Sequence, residues 1–193
     1  MARRPYQLAR RAETAQETRR RIVQATFALH STQGIAATTM PQIAARAGVS
    51  VGTVYHHFPT LDQTVLACGA MVMESFPPPR EEILAGAATL RERAARLARA
   101  LWTHLDQVAF DRIRPDRHTM AVIARFVDAE EAHRIDLTRA ALAPFAVDRD
   151  LVRVVAALLD IEVYRGLQRA GLSLDQAAAA IADIIHARVT HKD

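Results

Sequence analysis

The segment from Thr39 to Phe58 restricts the fold more than any other part of the chain, because it holds two helix starts separated by a tight turn. Thr39 and Gln42 have the spacing of a capping box, which begins a helix. Gly48 can adopt the positive φ of a tight turn, and Ser50 can cap the helix that follows. Two short helices must therefore cross at this turn.

The apolar residues of this segment divide it into a buried side and an outer side. Ala44 is small enough for two helices to approach closely, while Val54 and Phe58 hold the second helix to a core. The other residues of that helix lie on or near its outer faces: Val51, Gly52, Thr53, Tyr55, His56 and His57. This pattern is typical of a helix-turn-helix, whose second helix enters the major groove of DNA. The alternative is a helical hairpin whose polar residues form only a solvated surface.

The rest of the chain shows helical periodicity and no strand alternation. One stripe, spaced i, i+4, i+7, i+11 and i+15, consists of Leu61, Val65, Cys68, Val72 and Phe76. Two late helices, at 151–170 and 173–189, are apolar on more than one face. We predict an all-α protein of about nine helices. No apolar run reaches the roughly 18 residues that a membrane helix needs, so no membrane partner is expected.

Charge is unevenly distributed along the chain. Residues 1–60 hold eight arginines against two acidic residues, whereas residues 61–193 hold seventeen basic and nineteen acidic residues. A basic N-terminal third on a slightly acidic remainder indicates that one end meets a polyanion. The alternative is an Arg-rich composition with a solvated tail.

Residues 19–67, "RRRIVQATFALHSTQGIAATTMPQIAARAGVSVGTVYHHFPTLDQTVLA", resemble the N-terminal DNA-binding domain of TetR-family transcriptional regulators. The resemblance covers about residues 17–66, and the matching positions are Ile22, Ala25, Gly34, Thr38, Thr39, Ile43, Ala44, Ala47, Gly48, Val49, Ser50, Gly52, Tyr55, His57 and Phe58. It implies a three-helix DNA-binding domain, a second helical domain for ligand binding and dimerisation, and repression that a small molecule relieves.

The resemblance also implies roles for single residues. Thr39 and Tyr55 are expected to contact phosphates, and the candidates for facing base edges are Val51, Gly52, Thr53 and His57. The expected interface further includes Gln42, Ser50, His56 and Thr60.

Three positions depart from the family pattern. His30 stands where an apolar aromatic residue is usual, Pro41 where a basic residue is frequent, and Leu61 where a lysine is common. The loss of two basic residues weakens the expected phosphate contacts. A basic N-terminal arm is expected to compensate by entering the minor groove, through Arg3, Arg4, Arg10 and Arg11.

We predict three regions: a flexible basic arm at 1–16, the helix-turn-helix domain at 17–66, and a ligand-binding and dimerisation domain at 67–193. The two C-terminal helices are expected to form a homodimer, which would bind a near-palindromic operator. The effector is an unidentified small molecule. Its predicted pocket, for which plain core packing is the competing interpretation, is lined by Trp102, His104, Phe110, Met120, Phe126 and Tyr164.

No catalytic motif, cofactor fingerprint or metal-ligand spacing occurs in the sequence, so we expect no enzyme, no cofactor and no metal. A single cysteine, Cys68, is consistent with a cytoplasmic protein. Two alternatives remain open. The chain could be a helical ligand-binding protein of the same fold without operator recognition, or an all-α enzyme that uses His104 or His133.

Overall fold

The computed structural model describes the backbone of residues 3–190 and the side chains of residues 10–190. The described part is helical, as the periodicity predicts, and contains ten α-helices and no strand. The first four helices form the N-terminal region: α1 (Arg3–Gln33), α2 (Met40–Ala47), α3 (Val51–His57) and α4 (Leu61–Ser75).

Six further helices complete the described chain: α5 (Leu90–Gln107), α6 (Phe110–Ile113), α7 (Ala121–Leu142), α8 (Arg149–Leu158), α9 (Ile161–Arg169) and α10 (Leu174–Thr190). Short 3-10 helices occur at Glu81–Leu84, Arg114–His118 and Ala143–Phe145. Within residues 3–190, no helix is both long enough and apolar enough to cross a membrane.

The first helix corrects the predicted flexible arm. α1 begins at Arg3, so residues 3–16 extend the helix. The reason is composition: this stretch has no glycine, is rich in Ala, Arg, Gln and Glu, and places Pro5 in the first turn, where its missing N–H is harmless. Extending an existing helix adds one hydrogen bond per residue without a new nucleation step. The side chains of Arg3 and Arg4, assigned to the arm, lie outside the described residues.

The predicted helix at 151–170 is two helices. Leu159 ends α8, and the carboxylate of Asp160 accepts a hydrogen bond from Glu162 N (3.0 Å), which caps α9. The same carboxylate accepts two hydrogen bonds from Arg114 (2.9 and 2.7 Å) and lies 3.4 Å from Arg134. These partners are distant in sequence, so the apolar periodicity of 151–170 does not reveal the break.

Two sets of helices share one continuous core. In the first, α1 packs on α2 and α4, and α2 packs on α3. In the second, α5 packs on α10 and α7, and α7 packs on α8. The sets meet where α1 contacts α6 and α4 contacts α7.

Polar contacts reinforce this junction. Oδ2 of Asp116 accepts hydrogen bonds from the backbone N–H groups of Ile35 (2.7 Å) and Ala36 (2.9 Å), and Arg112 donates to the carbonyl of Ser31. The loop after α1 is thus tied to the second set of helices.

Candidate nucleic-acid interface

The start of α2 is built by the predicted capping box. Thr39 Oγ1 accepts from the backbone N–H of Gln42 (3.4 Å), and the Gln42 side chain accepts from the backbone N–H of Thr39 (2.9 Å). Gln33 also donates to this side chain, at 3.2 Å. Thr39 and Gln42 are both exposed, so they can meet a partner while they hold the helix in place.

The turn between α2 and α3 has the predicted geometry. Gly48 adopts φ 65° and ψ 41°, a left-handed conformation that glycine reaches without strain. Ser50 caps α3, because its Oγ accepts from the backbone N–H of Thr53 (3.0 Å). Val49 packs against the core from within the turn. The turn and the cap therefore place the start of α3 where the sequence predicts it.

The two sides of α3 are separated as the pattern predicts. Val54 and Phe58 are buried, and the guanidinium carbon of Arg19 on α1 lies 4.7 Å from the Phe58 ring centroid. The outer side exposes Gly52 and His56, together with Val51 (38% exposed) and Tyr55 (49% exposed). Thr53 and His57 are half-buried. A short helix with a small residue near its N-terminus can approach base edges closely.

Basic residues of α1 lie beside this helix. A groove of about 380 Å³ separates α1 from α3. Its walls are formed by Arg10, Arg11, Thr14, Ala15 and Thr18 on one side and by Thr53, His56 and His57 on the other. The predicted arm residues Arg10 and Arg11 and the predicted recognition residues are therefore neighbours in space.

The surroundings of His57 on α3 favour its neutral form. Burial lowers the pKa of His57, and the neighbouring His56 and Arg19 lower it further. The ring of His56 meets that of His57 edge-on, with centroids 5.4 Å apart. A neutral His57 offers both a donor and an acceptor nitrogen at pH 7.

The start of α4 explains one departure from the family pattern. Thr60 is exposed and caps α4 by accepting from the backbone N–H of Gln63 (3.3 Å). Leu61 is half-buried and packs against the core, so this position contributes to folding. Pro41 is exposed in the first turn of α2 and supplies no charge.

The six residues predicted to line a pocket are mostly core residues. Trp102 is fully buried, stacks on Tyr164 with ring centroids 5.0 Å apart, and donates to the carbonyl of Leu159 (3.0 Å). Phe110 is buried, and its ring centroid lies 6.3 Å from that of Phe126.

The other two residues of that set lie apart. Met120 is half-buried at the start of α7. His104 is buried on α5 and borders a shallow groove with Pro77, Pro79 and Ile83. The structure therefore does not bring the six residues together around one cavity.

An apolar cavity instead lies at the junction of the two helix sets. Its volume is about 290 Å³, and Phe126 of the predicted set lines it. Sequence reasoning missed its other walls, which come from α1, α4, α6, α7 and the loops near them: Phe27, His30, Ser31, Ile35, Val65, Leu66, Cys68, Gly69, Ala70, Val72, Met73, Val108, Ile113, Val122 and Ile123. The one available signal was the unusual histidine at position 30.

Burial controls the two titratable groups of the cavity wall. It lowers the pKa of His30 to about 4, against the opposing charge of Asp116, and raises the pKa of the Cys68 thiol to about 12. Both groups are therefore uncharged at pH 7.

Elsewhere in the described chain, His133 forms a hydrogen bond with the carbonyl of Pro79 (2.8 Å). No group of three or more His, Cys, Asp or Glu side chains among the described residues could hold a metal ion.

Comparison with known proteins identifies the N-terminal region. Residues 22–68 match the family model for bacterial regulatory proteins of the tetR family. This N-terminal region of the chain is therefore similar to regulators of the TetR family. Over 47 residues it is 47% identical to the HTH-type transcriptional regulator SrpR of Pseudomonas putida. This match covers 24% of the chain and 22% of SrpR, so the chain is matched to about a fifth of that relative's length.

Solved structures extend the likeness in fold over most of the chain. SmeT, solved as a complex with triclosan, has a TM-score of 0.62 at 19% identity, with 89% of this chain and 90% of SmeT covered. NalD, the secondary repressor of the MexAB-OprM multidrug efflux pump in Pseudomonas aeruginosa, has a TM-score of 0.59 at 18% identity. Here 90% of this chain and 96% of NalD are covered. The helix-turn-helix of this chain, which matches the tetR family model, is thus followed by a helical domain with the fold of these two proteins.

Proposed function

We propose that the chain is a homodimeric DNA-binding transcriptional regulator that releases a near-palindromic operator when a small molecule binds. The observation that supports this most strongly is the arrangement of α1 and α3. The outer residues of α3 are exposed, and Arg10 and Arg11 lie across a groove from them. An exposed short helix reads base edges, while neighbouring arginines neutralise phosphates and provide most of the affinity.

Two exposed apolar side chains support the dimer. Val154 on α8 is 53% exposed and Ile184 on α10 is 55% exposed, although both helices bury their other faces in the core. A second copy of the chain would cover them through a symmetric four-helix contact. The dimer would hold two copies of α3 about one DNA turn apart, ~34–36 Å.

Ligand-dependent repression is the part of the proposal that rests most on relatives. NalD is named as a repressor, and SmeT was solved with triclosan bound. The apolar cavity between the two helix sets of this chain is consistent with a similar response. A ligand needs to favour the DNA-incompetent state by only about 1–3 kcal/mol to lower operator occupancy five- to 150-fold.

The test is a nuclease footprint of the purified chain on the DNA upstream of its own gene, with randomised-site selection if no protection appears there. We expect a protected near-palindrome at nanomolar protein. The matched control is Arg125→Ala, which removes an exposed arginine from α7 outside the interface and should leave the footprint intact. Absence of any selected motif would refute operator recognition.

A helical ligand-binding protein without operator recognition is the second candidate. Pro41 and Leu61 favour it, because both replace residues that often contact DNA in the family. This candidate predicts binding of small molecules by a chain that shows no sequence preference on DNA at physiological salt.

A further inference from the structure

His30 combines three features that ordinary core packing does not require. It is only 4% exposed, its Nε2 atom is buried without a hydrogen-bond partner in the described structure, and it belongs to the wall of the junction cavity. A buried polar atom without a partner costs free energy, because it has lost its hydrogen bond to water. An apolar aromatic side chain at this position would avoid that cost.

The remaining walls of the cavity are almost entirely apolar. They consist mainly of aliphatic, aromatic and thioether side chains from α1, α4 and α7. A volume of about 290 Å³ lies near the lower end of the roughly 300–1,000 Å³ range of small-molecule sites, so it suits one or two rings. Apolar walls with one polar side chain select a mainly apolar ligand that carries one polar group.

From these features we infer that the junction cavity binds a neutral, mainly apolar small molecule whose single hydroxyl group pairs with the imidazole of His30. His30 belongs to the cavity wall, and a half-turn of its ring about χ2 exchanges the nitrogen and carbon positions, so the ring can turn a nitrogen toward a ligand. The ring is uncharged at pH 7, since burial holds its pKa at about 4. It therefore suits a hydroxyl group better than an anion.

The cavity lies where a ligand could affect DNA binding. The biological role of this ligand site therefore rests on the proposed function. Ser31 and Ile35 form part of the wall, and their backbone groups are the ones bonded by Arg112 and Asp116. A ligand in the cavity therefore contacts the residues that join the DNA-binding helices to the second helix set. It would alter their relative position directly, because α1 carries both His30 and the arginines beside α3.

The probes are 1-naphthol and naphthalene, which differ by one hydroxyl group. Binding of each is measured by titration calorimetry to the full chain and to His30→Phe, which introduces the apolar aromatic side chain usual at this position. We expect 1-naphthol to bind the unsubstituted chain about three- to tenfold more tightly than His30→Phe, the effect of one hydrogen bond between neutral groups. Naphthalene should bind both within about twofold, since it lacks the hydroxyl group.

A second pair of variants locates the site independently of His30. A Cβ added at Gly69 on α4 meets no atom within 4 Å, and this residue lines the cavity. Gly69→Leu should fill the space and abolish binding of both probes, whereas Gly69→Ala should leave both affinities within about threefold. Both substitutions replace a glycine inside a helix, so neither should unfold the chain.

Three results would overturn the inference. The first is an unsubstituted chain that binds neither probe, the second is equal affinity of 1-naphthol for the chain and His30→Phe, and the third is binding that persists in Gly69→Leu. None of these measurements involves DNA. A chain that binds 1-naphthol as expected but selects no DNA sequence would refute the proposed regulator and leave the ligand site standing.

Discussion

Tyr55 is the most exposed large apolar or aromatic residue of α3, with 49% of its surface accessible to solvent. Its hydroxyl group can donate to a phosphate, which positions the protein without reading sequence. Tyr55→Phe should therefore weaken binding about three- to tenfold on the operator and on a scrambled duplex alike, the effect of one hydrogen bond. Fluorescence anisotropy on both duplexes measures this. A loss confined to the operator would show that Tyr55 faces bases.

A second prediction at the residue scale concerns how His30 makes the free energy of unfolding depend on pH. The pKa is about 4 in the folded chain and about 6.5 in the unfolded one, so the unfolded state binds the proton more tightly. Stability is unaffected at pH 7 and falls as the pH drops from 6.5 toward 4. Between pH 7 and 4.5 the loss is about 2 kcal/mol. The negative charge of Asp116 opposes this loss only in part.

Urea unfolding of the chain and of His30→Phe at both pH values isolates this contribution, because the other titrating groups are common to the two proteins. The variant should lose about 2 kcal/mol less on acidification. An equal loss in both proteins would mean that His30 is already accessible to protons in the folded chain.

At the scale of elements, the N-terminal half of α1 places Arg10 and Arg11 beside α3. Arg11→Ala should lower DNA affinity and reduce the slope of log K against log salt by about 0.9 for each subunit bound. Arg125→Ala removes an equal charge from α7 and should leave the slope unchanged. A slope equal to that of the control would place Arg11 away from the phosphates.

The break between α8 and α9 is a second property of elements. Asp160 is mostly buried and faces Arg114 and Arg134, so Asp160→Asn would remove the carboxylate that both arginines share. Arg114 would keep only Glu162 (3.6 Å) and Arg134 only Glu130 (3.2 Å). We expect a loss of about 2–4 kcal/mol in the free energy of unfolding. Asp175→Asn breaks the exposed pair with Arg99 and should cost less than about 1 kcal/mol. Similar costs for both would show that the Asp160 cluster is solvated.

At the scale of the whole molecule, the proposed dimer depends on Val154 and Ile184. Val154→Arg with Ile184→Arg would bury unpaired charges in the contact and should raise the dimer dissociation constant more than about a hundredfold. Light scattering measures the mass, and circular dichroism checks that the monomer keeps its helices. Leu66→Arg, at an exposed site on α4, is the control and should leave the dimer intact. An unchanged mass in the double variant would exclude this face.

The sequence alone predicted the features that depend on interactions between residues close in the chain. Thr39 with Gln42, Gly48, and Ser50 with Thr53 each act over three or four residues, so helix starts, the turn and the outer side of α3 could be read from their order. All-α architecture follows for the same reason, since helix hydrogen bonds and apolar stripes are local.

Tertiary structure alone decided the features that depend on distant partners. The carboxylate at the break, Asp160, is paired with the distant Arg114 and Arg134, and the core positions of Trp102 and Tyr164 depend on α5 stacking against α9. The junction cavity has walls from α1, α4 and α7, and the apolar periodicity of each helix does not show which other helices it faces. Whether an apolar stripe packs without gaps or borders a cavity depends on the side chains of the helices opposite it. The sequence of one helix does not contain that information.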